Sequence, residues 1–206
     1  VSTRLRLTTA DGVSLEAELA QPSAGPPTVG VVLCHPHPLF GGSMQAGIIG
    51  PLFDAFADAR AAVLRFNFRG VDGSEGEHDH GNAERLDVLA AIDGLVDALG
   101  AAVPVVLVGW SFGGNLALSI DDPRVAAWLA LAPTLDGVGP AVASDARPKR
   151  LVLAQHDEYR DPAEVIAEVA SWTNTEVEVI GGASHFFVGR YDRVLTSALG
   201  FVATVR

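Results

Sequence analysis

Polar and apolar positions alternate along residues 3–8 and again along residues 13–19, the period of a half-buried strand. Between them lies Ala10-Asp11-Gly12, and Asp-Gly is a strong hairpin turn signal. The pattern predicts an antiparallel strand pair at a sheet edge. Beyond a Pro/Gly loop at 21–27 the pattern changes. Residues 29–34, 61–68, 103–108 and 125–131 are mostly apolar runs with little alternation, the mark of strands buried on both faces. Shorter strands are expected at 151–154 and 176–180. Helical spacing fills the gaps. It is clearest over 84–99, where Leu86, Leu89, Ala90, Ile92, Leu95, Val96 and Leu99 make one apolar stripe. Further helices are expected at 44–60, with Pro51 interrupting or kinking it, at 115–120, at 162–172 with proline at its start, and at 191–205. Residues 133–148 read as a loop. Strands alternating with helices after an initial hairpin predict an α/β fold: a mostly parallel sheet with helices on both faces. No repeat, linker or second domain interrupts the pattern, so residues 1–206 are expected to form one domain.

Reactive loops in such sheets gather at the carboxyl ends of the strands. The strand at 103–108 runs into Gly109-Trp110-Ser111-Phe112-Gly113 and then a helix. Strand, Gly-x-Ser-x-Gly, helix is the setting of a nucleophile elbow. Gly109 and Gly113 let strand and helix approach where a Cβ would clash. The turn lifts Ser111 Oγ above the sheet and puts the Phe112 amide at a helix N-terminus, facing a developing oxyanion. A serine needs a base, and the base an orienting acid. Downstream of Ser111 stand only two histidines, His156 and His185. His185 follows the last strand in a Gly-Gly-Ala-Ser turn, whereas His156 adjoins Asp157 and points away from it. His185 is therefore the expected base and Asp157 the expected acid, with Glu158 and Asp161 as competitors farther from the strand end. The chain order Ser, Asp, His matches the elbow's usual partners.

A second oxyanion amide must come from the loop after the 29–34 strand. Pro36 and Pro38 have no N–H, which leaves His37, Leu39 and Phe40. The His37 amide is the first choice and that of Leu39 the second. The pairs His35/His37 and His78/His80 lack a third ligand at a fixed spacing, so no metal and no cofactor is expected. His35 is expected to hydrogen-bond the loop instead. Cys34 reads as a small buried hydrophobe, and Trp110 and Phe112 as packing, with Phe112 at the border of the pocket. Phe186 and Phe187 either line an acyl site or pack.

Composition narrows the partners. The chain carries 14 basic and 25 acidic residues, a net charge of −11. That disfavours nucleic acid and anionic membranes. The single cysteine excludes an internal disulfide and fits a reducing compartment. The longest apolar runs fall short of the ~18 residues of a membrane span, and the first residues carry no signal-peptide pattern. The expected location is the cytoplasm.

Together these residues resemble the α/β-hydrolase superfamily over essentially the whole chain. His35-Pro36-His37-Pro38 with Gly41-Gly42, then Asn67-Phe68-Arg69-Gly70-Val71 with Gly73-Ser74-Glu75-Gly76, resembles a small lidless bacterial branch related to dienelactone hydrolases. The resemblance implies the α/β-hydrolase fold without a lid, Ser111 as nucleophile, Asp157 and His185 as its partners, and backbone amides for the oxyanion. Two departures stand out: Pro36 where many esterases have His-Gly, and Ser111 where dienelactone hydrolases have cysteine. The expectation is a serine hydrolase of carboxylic esters, acting on small, short-chain acyl esters or thioesters because no lid shields the site. A thioesterase or peptidase would use the same three residues, and a non-catalytic binding protein would keep only the fold.

Overall fold

The computed structural model describes residues 2–22, 25–100 and 103–205, so part of the 21–27 loop lies outside it. Eight strands form one sheet: β1 (Ser2–Thr8), β2 (Ser14–Ala20), β3 (Val29–Cys34), β4 (Ala61–Phe66), β5 (Val105–Trp110), β6 (Val125–Leu131), β7 (Lys149–His156) and β8 (Thr175–Ser184). Their spatial order is β1-β2-β4-β3-β5-β6-β7-β8. The N-terminal pair is antiparallel, with Leu7 opposite Leu15, and β2 joins β4 antiparallel. Every other pairing is parallel.

Among the described residues five α-helices connect strands, α1 (Ile49–Asp58), α2 (Glu84–Leu99), α3 (Phe112–Leu118), α4 (Ala141–Ser144) and α5 (Pro162–Val169), and α6 (Tyr191–Ala203) follows the last strand. Successive strand residues point to opposite faces, and the core divides accordingly. Val32, Cys34, Val105 and Leu107 pack with apolar residues of α2, α3 and α5. Val31, Leu33, Val106 and Val108 pack with those of α1 and α6. Both faces of the central strands are buried, which is why their sequences run apolar without alternation. Among the described residues no helix is long and apolar enough to cross a membrane.

Several boundaries differ from expectation, each for a local reason. The helix expected from residue 44 begins at Ile49. Before it the chain turns, with Ala46 N–H on Ser43 O and Met44 N–H held at 2.8 Å by Asn67 Oδ1. Pro51 is then the third helical residue, inside the first turn where its missing N–H costs no intrahelical bond, so it starts the helix rather than kinking it. β4 stops at Phe66: Asn67 N–H still bonds Glu16 O of β2, but Phe68 N–H goes to the His35 side chain at Nε2. α3 begins directly after Ser111, earlier than residue 115. The stretch 133–148 contains the one-turn α4. β7 and β8 are longer than their apolar cores. β8 continues through Gly181 and Gly182, where a register shift against β7 and a φ of 69° at Gly182 absorb an irregularity. That continuation carries Ser184 and His185 to the sheet edge where Ser111 lies.

The Asn67–Gly76 stretch is a hydrogen-bonded hub. Arg69, nearly buried, donates to Asp87 at 2.7 and 2.9 Å and to Asp11 of the β1–β2 turn at 2.9 Å. Ser74 Oγ donates to Asn67 O and accepts from Glu16 N–H. The hub ties the edge hairpin to α2 and supports the loop on which the site rests.

Candidate active site

Ser111 sits between β5 and α3 with φ 55° and ψ −118°, a strained conformation of the kind stored at functional sites. Its surroundings impose that turn. A Cβ on Gly109 would land on the backbone of Gly113 and Gly114, and one on Gly113 on the carbonyls of Cys34 and His35. Ser111 N–H is held by Leu131 O at 2.8 Å, and its carbonyl accepts from Asn115. The hydroxyl is thereby fixed above the sheet edge.

His185 Nε2 lies 2.9 Å from Ser111 Oγ. Its Nδ1 faces both oxygens of Asp157, at 3.0 and 2.9 Å. The side chains of His185 and Asp157 are each only 5% exposed, so solvent does not compete for the contact. Asp157 is itself steadied by the Tyr159 amide at 2.9 Å. The competing acids are otherwise engaged: Glu158 accepts from the His185 backbone N–H at 3.1 Å, and Asp161 caps α5 through Ala163 N–H. His156 is exposed at the end of β7. A serine, an imidazole and a carboxylate in this chain can pass the hydroxyl proton to the ring while the carboxylate steadies the resulting charge.

The loop after β3 forms a short 3₁₀ turn, Pro38–Phe40, capped by the His37 side chain, whose Nδ1 accepts from Leu39 N–H at 3.2 Å. Phe40 and Gly42 both donate to His37 O. The amides of Leu39 and Phe40 are therefore used within the loop. Those of His37 and Phe112 have no acceptor among the described residues, and both residues line the same cavity as Ser111. His35 is fully buried. Its Nδ1 contacts Pro36 O at 2.6 Å and its Nε2 accepts from Phe68 N–H at 3.0 Å. Burial pushes the His35 imidazole down to about 3, so it is neutral and bridges two loops. His37 is also lowered, by burial and then by neighbouring His78. His78 Nδ1 lies 2.6 Å from buried Glu84. Among the described residues no three His, Cys, Asp or Glu side chains are placed to hold a metal. Cys34 is buried, and burial pushes its thiol up.

The cavity over Ser111 encloses about 770 Å³. On the His185 side its wall is aromatic and aliphatic. Tyr159 and Phe186 pack on the His185 ring at 4.5 and 5.5 Å, Trp110 donates its indole N–H to His185 O, and Val188 and Tyr191 complete the wall. Phe112 borders the cavity, and of the two phenylalanines after His185 only Phe186 lines it, while Phe187 is fully buried. The opposite end is polar, with Asn115, Thr134, Asp136 and Arg85. Arg85 carried no signal in the sequence beyond its place on an amphipathic helix.

A family model described as the alpha/beta hydrolase family matches residues 31–202. The chain belongs to the alpha/beta hydrolase family. It is similar to an alpha-beta serine hydrolase homologue from Coxiella burnetii, at 29% identity and a TM-score of 0.87, covering 96% of this chain and 95% of that one. A lidless α/β serine hydrolase from Xanthomonas campestris superposes with a TM-score of 0.85 at 24% identity, covering 98% of this chain and 94% of that one. An uncharacterised protein of Rickettsia prowazekii (strain Madrid E) is 28% identical over 204 residues, spanning 93% of this chain and 85% of its own length. This alpha/beta hydrolase likewise lacks a lid: between β6 and β7 it has only a loop and the four-residue α4.

Proposed function

We propose that this alpha/beta hydrolase is a serine esterase that cleaves small, soluble carboxylic esters through an acyl-enzyme. The observation that carries the reading is the unbroken contact chain from Asp157 through His185 to Ser111 Oγ, beside two unpaired amides. Ser111 Oγ attacks the ester carbonyl as His185 Nε2 takes its proton. Asp157 holds the ring by Nδ1–H and balances the imidazolium. The carbonyl oxygen gains charge and accepts from the Phe112 and His37 amides, which stand ready without reorganising. His185 then hands its proton to the departing alcohol. Water, deprotonated by the same ring, attacks the acyl-enzyme and releases the acid. Without a lid the acyl chain has little apolar cover, which favours short soluble acids over long lipids. A cytoplasmic location is compatible with the single buried Cys34, which has no internal partner to form a disulfide.

The test is hydrolysis of 4-nitrophenyl esters from acetate to palmitate by the wild-type protein and Ser111→Ala, with fluorophosphonate labelling alongside. Turnover greatest for the short chains, with both turnover and label lost in the variant, supports the reading. A folded wild-type protein that neither turns over nor labels overturns it.

A further inference from the structure

We propose that Arg85 binds the far end of the acyl group, and that the acyl groups preferred are those ending in an anionic oxygen group, carboxylate or phosphate. This rests on the esterase reading above.

Arg85 is the only lysine or arginine lining the cavity among the described residues. Its guanidinium is held in place: Nε donates to Ser119 Oγ at 3.1 Å and Nη2 to Gly137 O at 3.0 Å. These partners are neutral. Arg65, Arg69, Arg124, Arg147, Arg150 and Arg160 each reach a carboxylate. Arg85 reaches none among the described residues, and its Nη1 has no protein acceptor; Arg6 and Arg190 also donate only to backbone carbonyls, but neither lines the cavity. In a chain with 25 acidic residues, a positioned, half-buried cation left without a carboxylate is set out for an external one. Asp136 lines the same end, yet its carboxylate takes the Thr134 hydroxyl at 2.7 Å and forms no ion pair with Arg85.

The direction of the substrate follows from proton transfer. The leaving oxygen must lie within reach of His185 Nε2. The alcohol therefore occupies the side walled by Tyr159, Phe186 and Trp110. The acyl chain takes the remaining course, over α3. Ser111, Asn115 and Ser119 recur every four residues, on one side of α3, and all three line the cavity. Ser111 and Ser119 flank the seven residues of α3, which rise about 10 Å, so Arg85, pinned to Ser119, stands roughly that far from the nucleophile. A fork of N–H donors at the end of such a channel recognises a carboxylate or phosphate in two-point fashion.

The experiment measures kcat/KM for 4-nitrophenyl hydrogen succinate, adipate and suberate, each against its methyl-capped neutral counterpart, in the wild-type protein, Arg85→Gln, Arg85→Lys and Asp136→Asn. The charged-to-capped ratio is internal to each variant, so partial loss of folded protein does not move it. We expect the wild-type ratio to rise along the series to about tenfold at suberate, to fall to about one in Arg85→Gln, to recover partly in Arg85→Lys and to increase in Asp136→Asn. It should also fall with added salt. Octanoate and octyl phosphate, compared as competitive inhibitors, identify which anion binds better. A wild-type ratio of one or less, or one unchanged in Arg85→Gln, overturns the proposal while leaving the esterase intact. Absence of turnover on every ester overturns the esterase reading itself.

Discussion

Both carboxylate oxygens of Asp157 lie within 3.0 Å of His185 Nδ1, while Glu158, the next residue, holds the backbone amide of the same histidine. Two adjacent acids thus serve one histidine at different atoms. Only the ring contact sets the tautomer, so the two should differ sharply under substitution. Asp157→Asn is expected to lower kcat by about 10³- to 10⁴-fold, since the amide presents the wrong hydrogen-bonding pattern to Nδ1–H. Glu158→Gln keeps an acceptor for the His185 amide and should change kcat by only about twofold. Steady-state kinetics on a short 4-nitrophenyl ester check both. Equal losses in the two variants would remove Asp157 from its proposed role.

The backbone of Ser111 makes a separate prediction, on stability. With φ at 55°, any side chain at this position is strained, and glycine is not. Ser111→Gly should be more stable than Ser111→Ala by about 1 kcal/mol, a difference of about 2–4 °C in Tm for a chain of this size. Both variants should be inactive. Thermal unfolding followed by circular dichroism measures the gap, and a Gly variant no more stable than the Ala variant would mean that the turn is relaxed.

Much of this was legible in the sequence because period and position suffice for it. The buried strands show as apolar runs, and Ser111, Asp157 and His185 each follow a strand, so a parallel sheet brings them to one edge. What was not legible depends on partners distant in sequence. Residues 44–48 have helical spacing, yet Asn67 captures Met44 and the chain turns there. β8 runs through Gly181-Gly182 because β7 and Gln155 supply the bonds that local propensity does not. Arg85 looks like an ordinary charge on an exposed helix face. Only the packing of α2 against α3 turns it towards the cavity.

Gly42 tests the loop that presents the His37 amide. A Cβ at this position would overlap the carbonyls of Pro36 and His37, and the Gly42 N–H is one of the two amides bonded to His37 O. Gly42→Ala must therefore displace the loop that carries the His37 amide. The expected result is a fall in kcat of about 10²-fold, the cost of misplacing one oxyanion donor, with fluorophosphonate labelling slowed but not abolished. Full activity in a folded Gly42→Ala protein would show that the His37 amide takes no part, leaving Phe112 to act with another donor.

His35 predicts how the fold responds to acid. Its ring is neutral in the native state because burial holds it at about 3, whereas in the unfolded chain it titrates near 6.5. Between those values the unfolded state binds a proton that the native state does not, so stability rises with pH across that window. The contribution is fully present above about pH 6.5 and is lost as pH falls towards 3, at a limiting slope of about 1.4 kcal/mol per pH unit. Protonation would also place a second donor against the Phe68 amide, which now donates to Nε2 at 3.0 Å. His35→Asn keeps a donor for Pro36 O and loses the titrating ring. Its unfolding free energy in urea should be lower than wild type at pH 7.5 by about 2 kcal/mol, and flatter between pH 6.5 and 4.5. Parallel profiles for the two proteins would assign the acid sensitivity to other groups.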